Sequence, residues 1–262
     1  LVTAGLHAQQ KIPGYEMQLH YGSIIPHSQV LKPVSNSNPY GITATYSVLH
    51  TDRQAWKLCN CFYRTGYSLG YYNFDNPEEL GYTANFRVFF QPLIGARNRF
   101  YGSIRLGTGL AWISKVYAPE SNPRNYFFSM PVSFPLYASA YLHYRINQRM
   151  ELMAGGNFNH ISNGGTRQPN KGMNFPTISA GLMYHPAYTW PEQYKKTQIR
   201  PKDALDITIR SFASIKVLSA WKEYPEKANL VGGLQVQLAQ YLSGRWAMTA
   251  GAEFIFDGYQ KE

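Results

Sequence analysis

The stretch FPLYASAYLHYRI, residues 134–146, alternates between apolar and polar side chains along its length. Because successive side chains of a β-strand point to opposite faces, its even-numbered positions form an apolar face. Its odd-numbered positions form a face with hydroxyl, imidazole and guanidinium groups, which favours contact with water. The same alternation recurs at residues 205–217 and 245–256. The pattern predicts an all-β protein.

The alternating segments are longer than those of most soluble sheets. They run to about 10–13 residues, whereas ordinary strands have about 5 or 6 and membrane-crossing strands about 9–11. The 21 tyrosines of this 262-residue chain suit a boundary between lipid and water. No apolar run approaches the roughly 18 residues of a membrane-spanning helix. We therefore expect an antiparallel transmembrane β-barrel of the outer-membrane type, located in the bacterial cell outer membrane.

The number of strands leaves two arrangements open. Eleven segments alternate, near residues 15–25, 40–49, 62–72, 82–92, 99–112, 133–146, 150–160, 174–185, 204–217, 229–242 and 245–256. Because bacterial barrels have an even number of strands, we expect 12 or more, with the last ones lost to C-terminal truncation. The alternative is an eight-stranded barrel that closes at about residue 185 and is followed by a C-terminal β addition.

The chain is predicted to have four parts. Residues 1–8, LVTAGLHA, look like the remnant of a secretory signal peptide, so export is expected. Residues 9–185 hold strands one to eight, and residues 186–203 form a long inner connection. Residues 204–262 are expected to hold further barrel strands.

Turn lengths predict which end of the barrel faces outward. Residues 94–99, 147–149 and 243–245 are tight connections, whereas longer polar loops follow strands one, three, five, seven and nine. In this barrel class, short turns are periplasmic and long loops are extracellular. The loop that follows strand seven is therefore expected to be extracellular.

The two cysteines, Cys59 and Cys61, are separated by one residue. On a strand, such positions lie about 6.5–7 Å apart, which is a poor span for a disulfide. Two thiols alone are also a weak metal signal. The sequence predicts no metal site and no cofactor.

Polar side chains interrupt the apolar face at the end of strand seven. The alternation on strands seven and eight predicts Leu152, Phe158, Ile178 and Leu182 outside the barrel and Asn157, Asn159, Thr177 and Ser179 inside it. His160 and Ser162 continue the outward parity of strand seven, and Asn174 has the outward parity of strand eight. These three side chains are expected to converge on the outer wall near the extracellular rim. An unpaired polar group facing hydrocarbon costs several kcal/mol, so this placement calls for a function.

The grouping has the components of acyl transfer. A serine hydroxyl becomes nucleophilic when a neighbouring imidazole takes its proton, and Asn174 could orient the ring of His160 beside Ser162. Donors for an oxyanion would come from the loop: Asn163, Gly164, Gly165 and Asn170. His-x-Ser is a common tripeptide, however, so the same residues also fit an ordinary polar extracellular loop.

The segment FNHISNGGTRQPNKGMN, residues 158–174, resembles the signature of outer-membrane lipid A deacylases of the PagL type, the acyloxyacyl hydrolase-like proteins. In that signature, His-x-Ser-Asn is followed by Pro-Asn-x-Gly. Residues 106–117 and 121–129 also look like segments of such proteins, and a looser resemblance covers residues 40–185. Residues 204–262 show no such resemblance.

The resemblance implies a carboxylic ester hydrolase, a serine esterase that removes an ester-linked acyl chain from lipid A. It assigns Ser162 as the nucleophile and His160 as the general base. It also assigns oxyanion or substrate-binding roles to the residues around Asn163, Gly165 and Asn170.

The sequence departs from the family pattern at one position. The best-known members carry a glutamate as the acid where this chain has Asn174. A neutral amide stabilises an imidazolium less than a carboxylate does, which implies slower turnover or a different orienting group. Glu151 has the parity of the barrel interior and is a poor substitute.

Net charge and location indicate the partner. A formal net charge of +10 suits an anionic lipid, so lipid A, the membrane anchor of lipopolysaccharide, is expected in the outer leaflet. The basic residues are scattered and match no nucleic-acid-binding motif, so no nucleic-acid partner is expected. The competing hypothesis is a non-catalytic outer-membrane barrel that acts as a pore, scaffold or secretion accessory. The sequence contains no signal that sets an oligomeric state.

Overall fold

The computed structural model describes residues 11–186, 194, 205–218, 227–242 and 246–258. The signal-like residues 1–8 lie outside this part of the chain. So does the predicted inner connection, apart from Pro186 and Tyr194. No helix in the described ranges is long and apolar enough to span a membrane. The chain divides into two units, which contain a closed barrel and a three-stranded sheet respectively.

Eight antiparallel strands form the barrel. They are β1 (Lys11–Gly22), β2 (Tyr40–His50), β3 (Phe62–Asn73), β4 (Tyr82–Ile94), β5 (Phe100–Ile113), β6 (Val132–Arg145), β7 (Met150–Ser162) and β8 (Met173–Tyr184). Each strand pairs with its neighbour in sequence, and β1 also pairs with β8 from Tyr15 opposite Tyr184 to Gly22 opposite Thr177. The expectation of 12 or more barrel strands is therefore wrong, and the eight-stranded alternative is confirmed.

The physical reason for this correction is edge pairing. Alternation fixes which face of a strand is apolar, but it does not fix which strand lies beside it. Once β1 and β8 satisfy each other's backbone donors and acceptors, the sheet has no open edge, and a ninth strand has no place in the ladder. The count of alternating segments therefore overestimated the number of strands in the barrel.

The two faces of the barrel wall differ in chemistry as predicted. On β6, exposed and buried residues alternate without exception. Of the residues predicted to face outward on β7 and β8, Ile178 is 70% exposed and Leu152, Phe158 and Leu182 are each 46% exposed. Of those predicted to face inward, Asn157, Asn159, Thr177 and Ser179 are all buried. An apolar belt of this extent suits hydrocarbon surroundings.

The middle of the barrel interior is polar and internally paired. Arg105 donates to both carboxylate oxygens of Glu16, at 2.9 and 2.7 Å, and to Gln91 Oε1. A second group surrounds Glu151, which accepts from Tyr101 Oη at 2.5 Å and from Arg145 Nε at 3.1 Å. Since these charges are buried, each depends on its partner.

Apolar clusters lie toward the two ends of the barrel. The outer apolar cluster lies inside the barrel, at the end that carries the long loops. It comprises Ile24, Leu31, Val34, Tyr72, Phe74, Leu80, Ala111, Ile113, Phe127, Phe128, Ile161, Met173 and Phe175. The inner cluster comprises Ile12, Leu49, Phe62, Leu93, Ala96 and Tyr101. The interior is thus occupied by side chains at both ends as well as in the middle.

The connection between β2 and β3 contains a short helix, α1 (Arg53–Cys59). Asp52 caps it by accepting a hydrogen bond from Ala55 N at 2.8 Å, and Asn60 ends it with a left-handed φ of 52°. This turn brings the Cα atoms of Cys59 and Cys61 to 5.1 Å, and the two residues form a disulfide. The expectation of a poor disulfide span is wrong, because it assumed strand geometry, whereas neither cysteine lies in a strand.

The second unit contains β9 (Asp206–Leu218), β10 (Lys227–Tyr241) and β11 (Ala247–Asp257), in the antiparallel order β11-β10-β9. One face is apolar and largely exposed, with Ile209 at 71% and Phe254 at 70%. The other face carries polar pairs, such as Arg210 with Gln235 and Lys216 with Asp257. The sheet is therefore amphipathic.

The Glu16–Arg105 pair should make a large contribution to barrel stability. Arg105→Ala should lower the free energy of unfolding by about 3–5 kcal/mol, because Glu16 would keep its buried charge without a partner. The double variant Glu16→Gln/Arg105→Met should recover most of that loss, since it removes both charges. Urea unfolding in detergent micelles, followed by gel mobility, measures the effect. An equal loss in the single and double variants would contradict this prediction.

Candidate active site

The hairpin of β7 and β8 brings together the polar residues predicted on the outer wall. His160 lies directly opposite Asn174 in the register, and Ser162 is the last residue of β7. His160 and Ser162 share the parity of the exposed Phe158, and all three polar residues are partly buried. The group therefore lies on the wall that faces lipid, at the end that carries the long loops.

A short hydrogen bond joins two members of the group. His160 Nδ1 lies 2.7 Å from Asn174 Oδ1. Because a carboxamide oxygen only accepts, the imidazole must donate from Nδ1, and in the neutral ring the lone pair is then on Nε2. This is the tautomer that a general base needs if its Nε2 is to take a proton from serine.

Ser162 and His160 flank the same glycine. A Cβ added at Gly172 would lie 3.2 Å from Ser162 Cβ, 3.3 Å from His160 Nε2 and 2.8 Å from His160 Cε1. The Ser162 hydroxyl makes no hydrogen bond to any described residue. Rotation about its χ1 therefore breaks no hydrogen bond within the described residues, and catalytic contacts often tighten only when substrate binds.

The predicted oxyanion residues are partly brought together. Asn163 N donates to Asn170 Oδ1 at 3.2 Å, and the buried Asn163 side chain donates from Nδ2 to Ser129 Oγ at 3.0 Å. Asn163 therefore braces the loop with both of these donors. For Asn170, Nδ2 is the end of the carboxamide that can donate to an oxyanion. Gly165 has a φ of 79°, a conformation that favours glycine.

The inner side of the hairpin holds the site rigidly. Ile161, Met173 and Phe175 alternate with the site residues, point inward and are at most 1% exposed. All three belong to the outer apolar cluster. The loop between β7 and β8 is also fixed to the β5–β6 connection, because Gly172 N donates to Phe127 O at 3.2 Å.

The β5–β6 connection is itself pinned by two asparagines of the segment SNPRNYFFS. Asn122 Nδ2 donates to Glu79 O and Val116 O, and Asn125 Nδ2 donates to Glu79 O and Lys115 O. These bonds tie the connection to the β3–β4 loop. Ser129, the last residue of the segment, is thereby held where Asn163 contacts it.

Three residues around the site were not predicted from the sequence. They are Gly172, which packs on the imidazole, Ser129, which accepts from Asn163, and His27. His27 Nδ1 lies 3.4 Å from Asn174 Nδ2 although the residues are 147 positions apart. The Pro-Asn-x-Gly element was a sequence signal for Gly172, whereas no motif pointed to His27.

Metal ligands are not grouped around this site. Within the described ranges, no cluster of three or more His, Cys, Asp or Glu side chains could hold a metal ion. The hairpin itself offers an imidazole, a hydroxyl, carboxamides and backbone donors.

A closed eight-stranded barrel with an apolar outer belt and polar side chains grouped on its wall belongs to the class of outer-membrane β-barrel proteins. Within that class, the model of the lipid A 3-O-deacylase (PagL) family matches residues 38–183, more than half of the 262-residue chain. The chain belongs to this family of lipid A deacylases. The protein is located in the bacterial outer membrane.

Two solved structures match this chain. One, described as the outer membrane enzyme PagL, is 16% identical with a TM-score of 0.47, and the match covers 63% of this chain and 97% of the other. The second, Neisserial surface protein A (NspA), is 11% identical with a TM-score of 0.44, and the match covers 66% of this chain and 96% of the other. A comparison with curated proteins found no match.

Gly172→Ala should reduce lipid A deacylation by about 100-fold while the barrel still folds, because a small displacement of a reacting group can cost that much. The added methyl would contact the His160 ring at 2.8 Å, and the φ of 67° would be strained. Fatty-acid release from lipid A measures the effect.

The matched control is Gly156→Ala on β7, the strand that carries His160 and Ser162. An added Cβ at Gly156 would meet no atom within 4 Å. This variant should keep wild-type activity. Equal rates for the two alanine variants would show that contact with the imidazole is not the cause.

Proposed function

We propose that the protein is a serine esterase that hydrolyses an ester-linked acyl chain of lipid A, with Ser162 as nucleophile and His160 as general base. The observation that carries this proposal is the 2.7 Å contact between His160 Nδ1 and Asn174 Oδ1 on the outer wall. That contact leaves the lone pair of the neutral ring on His160 Nε2, which lies beside Gly172, as does the Ser162 side chain.

The first half of the reaction forms an acyl-enzyme. Ser162 Oγ attacks the ester carbonyl carbon while its proton moves to His160 Nε2, and the carbonyl oxygen becomes an oxyanion. Collapse of this intermediate breaks the bond to the sugar oxygen. The sugar oxygen takes the proton from Nε2 and leaves as a hydroxyl group of the deacylated lipid.

The second half releases the fatty acid. A water molecule gives a proton to His160 Nε2 as its oxygen attacks the acyl-serine carbonyl. The new intermediate collapses, Ser162 Oγ regains a proton, and the acyl chain leaves as a free carboxylic acid. Both halves use the same imidazole nitrogen, and neither needs a metal or cofactor.

The oxyanion would be stabilised by donors of the 163–172 loop. Asn170 would donate from Nδ2, because its Oδ1 accepts from Asn163 N. Asn163 would act through its hold on Asn170 and on Ser129. Gly165 stays a prediction from the sequence, and its φ of 79° is one that glycine adopts readily.

The position of the group on the barrel supports lipid A as substrate. His160 and Ser162 follow Phe158 on the lipid-facing side of β7, where the strand ends and the long loop begins. An acyl ester of lipid A lies at the same boundary, with its chain in hydrocarbon and its sugars and phosphates above. The net charge of +10 favours such an anionic lipid.

The competing hypothesis, a non-catalytic barrel, is weakest in its pore form. Arg64 and Gln91 are fully buried inside the barrel, and apolar clusters lie toward both ends. A scaffold or secretion accessory would place no demand on the His160 tautomer. Activity of the wild type and of site variants separates these hypotheses.

Replacement of the nucleophile should abolish the reaction without unfolding the barrel. Ser162→Ala should lower fatty-acid release by at least about 1,000-fold, and His160→Ala should be nearly as severe. The double variant should be no worse than Ser162→Ala, because the two side chains act as a unit. Mass spectrometry of purified lipid A after incubation measures release, and heat-modifiable gel mobility is the folding control. A fully active Ser162→Ala enzyme would refute the assignment, and a wild type inactive on every lipid A tested would favour the non-catalytic barrel.

Substitutions of Asn174, the proposed orienting residue, should have smaller effects on the rate, and their sign should depend on the new side chain. Asn174→Ala should lower the rate by about 10- to 100-fold, the range expected for one hydrogen bond to a group that becomes charged. Asn174→Glu should raise it above wild type, by about tenfold, because a carboxylate stabilises the imidazolium more strongly. Initial rates of fatty-acid release measure both variants. A rate for Asn174→Ala equal to that of wild type would exclude Asn174 as the orienting residue.

A further inference from the structure

We propose that His27, on the connection between β1 and β2, positions the Asn174 carboxamide so that its oxygen rather than its nitrogen faces His160. This inference rests on the proposed function, because it assigns a role within the same site. Within the described residues, His27 makes a hydrogen bond neither to Ser162 nor to the His160 ring. It is therefore a positioning residue and not a catalytic one.

The need for such a residue follows from the chemistry of an amide. The two ends of a carboxamide are nearly identical in shape, but one accepts hydrogen bonds and the other donates them. If Asn174 presented Nδ2 to His160, the ring would have to accept at Nδ1 and carry its proton on Nε2. The nitrogen required as general base would then have no lone pair for the Ser162 proton.

The contact with His27 favours the productive orientation. Asn174 Nδ2 lies 3.4 Å from His27 Nδ1, while Asn174 Oδ1 lies 2.7 Å from His160 Nδ1. In the His27 tautomer that carries its proton on Nε2, Nδ1 has a lone pair, which accepts from Asn174 Nδ2 and cannot accept from Oδ1. The three side chains therefore form a directed series in which His160 donates to Asn174 and Asn174 donates to His27.

The backbone around His27 is held on both sides. Before it, Ser23 N donates to Pro176 O at 3.2 Å and Ile25 N donates to Asn174 O at 2.9 Å, which extends the β1–β8 pairing beyond the strand. After it, a 3-10 helix (Gln29–Val34) buries Leu31 and Val34 in the outer apolar cluster. The exposed ring of His27 is thus presented to Asn174 by an anchored segment.

This role is specific to an asparagine in the orienting position. A glutamate has two oxygens, so either one can accept from His160 and no orientation has to be selected. The departure from the family pattern at residue 174 and the contact with His27 are therefore parts of one arrangement. Removing His27 should matter with Asn174 and should matter little with a glutamate there.

The kinetic test compares three variants in two backgrounds. His27→Ala should lower kcat on purified lipid A by about fivefold, the effect of one neutral hydrogen bond, with KM unchanged. His27→Gln should recover most of the loss, because its Oε1 can accept from Asn174 Nδ2. Gln29→Ala, an exposed neighbour on the same connection, is the matched control and should behave as wild type. In the Asn174→Glu background, His27→Ala should change kcat by less than about twofold.

A spectroscopic test is independent of turnover. With 15N-labelled histidine, the His160 ring nitrogens, assigned by comparison with His160→Ala, should show the proton on Nδ1 in the wild type. His27→Ala should shift the signals toward the tautomer protonated on Nε2, and His27→Gln should restore them. This measurement tests the role of His27 even if the Asn174→Glu variant is inactive.

The outcomes separate the two proposals. An unchanged kcat and an unchanged His160 tautomer in His27→Ala would overturn the role of His27 while leaving Ser162 and His160 in place. An equal loss in both backgrounds, with no rescue by glutamine, would show a merely structural role and would also overturn it. Wild-type activity in Ser162→Ala would refute the esterase mechanism, whereas the tautomer measurement would still report whether His27 orients Asn174.

Discussion

The rest of the structure depends on the pairing of β1 with β8. Hydrocarbon offers no hydrogen bonds to an unpaired strand edge, so a sheet in a membrane must close. The eight residue pairs from Tyr15–Tyr184 to Gly22–Thr177 close it here. The same seam continues through Ile25 to Asn174, so the bonds that seal the barrel also carry the β1–β2 connection to the candidate site. Closure and site geometry are consequently not separable.

The wall gives the site its precision and its orientation. His160, Ser162 and Asn174 are on strands, and their inward neighbours are locked in an apolar cluster. Side chains on such strands move little. A single hydrogen bond to the Asn174 amide can then select the His160 tautomer. The loop adds the positions that need unusual backbone, Gly165 and Gly172, where only glycine fits without strain.

The faces of the barrel could be predicted because they depend on local sequence. Alternation placed Leu152 and Phe158 outside and Asn157 inside, and the burial of these residues confirms it. The same parity put His160 and Ser162 on one side of the wall. Closure could not be predicted, because it is a long-range pairing that no local pattern encodes. The Cys59–Cys61 disulfide was missed since its geometry arises in a turn at Asn60, and His27 was missed because only the closed barrel brings it to Asn174.

The lipid-facing position of the site changes the meaning of concentration for this protein. In the proposed mechanism, the substrate reaches His160 and Ser162 by moving sideways within the outer leaflet and need not enter the aqueous phase. The quantity that governs encounter is then the number of lipid A molecules per unit of membrane area, and dilution by other lipids acts as dilution of solute does in solution. A fatty acid produced there would be released directly into the bilayer. An inhibitor would have to partition into the same leaflet before affinity for the site could matter.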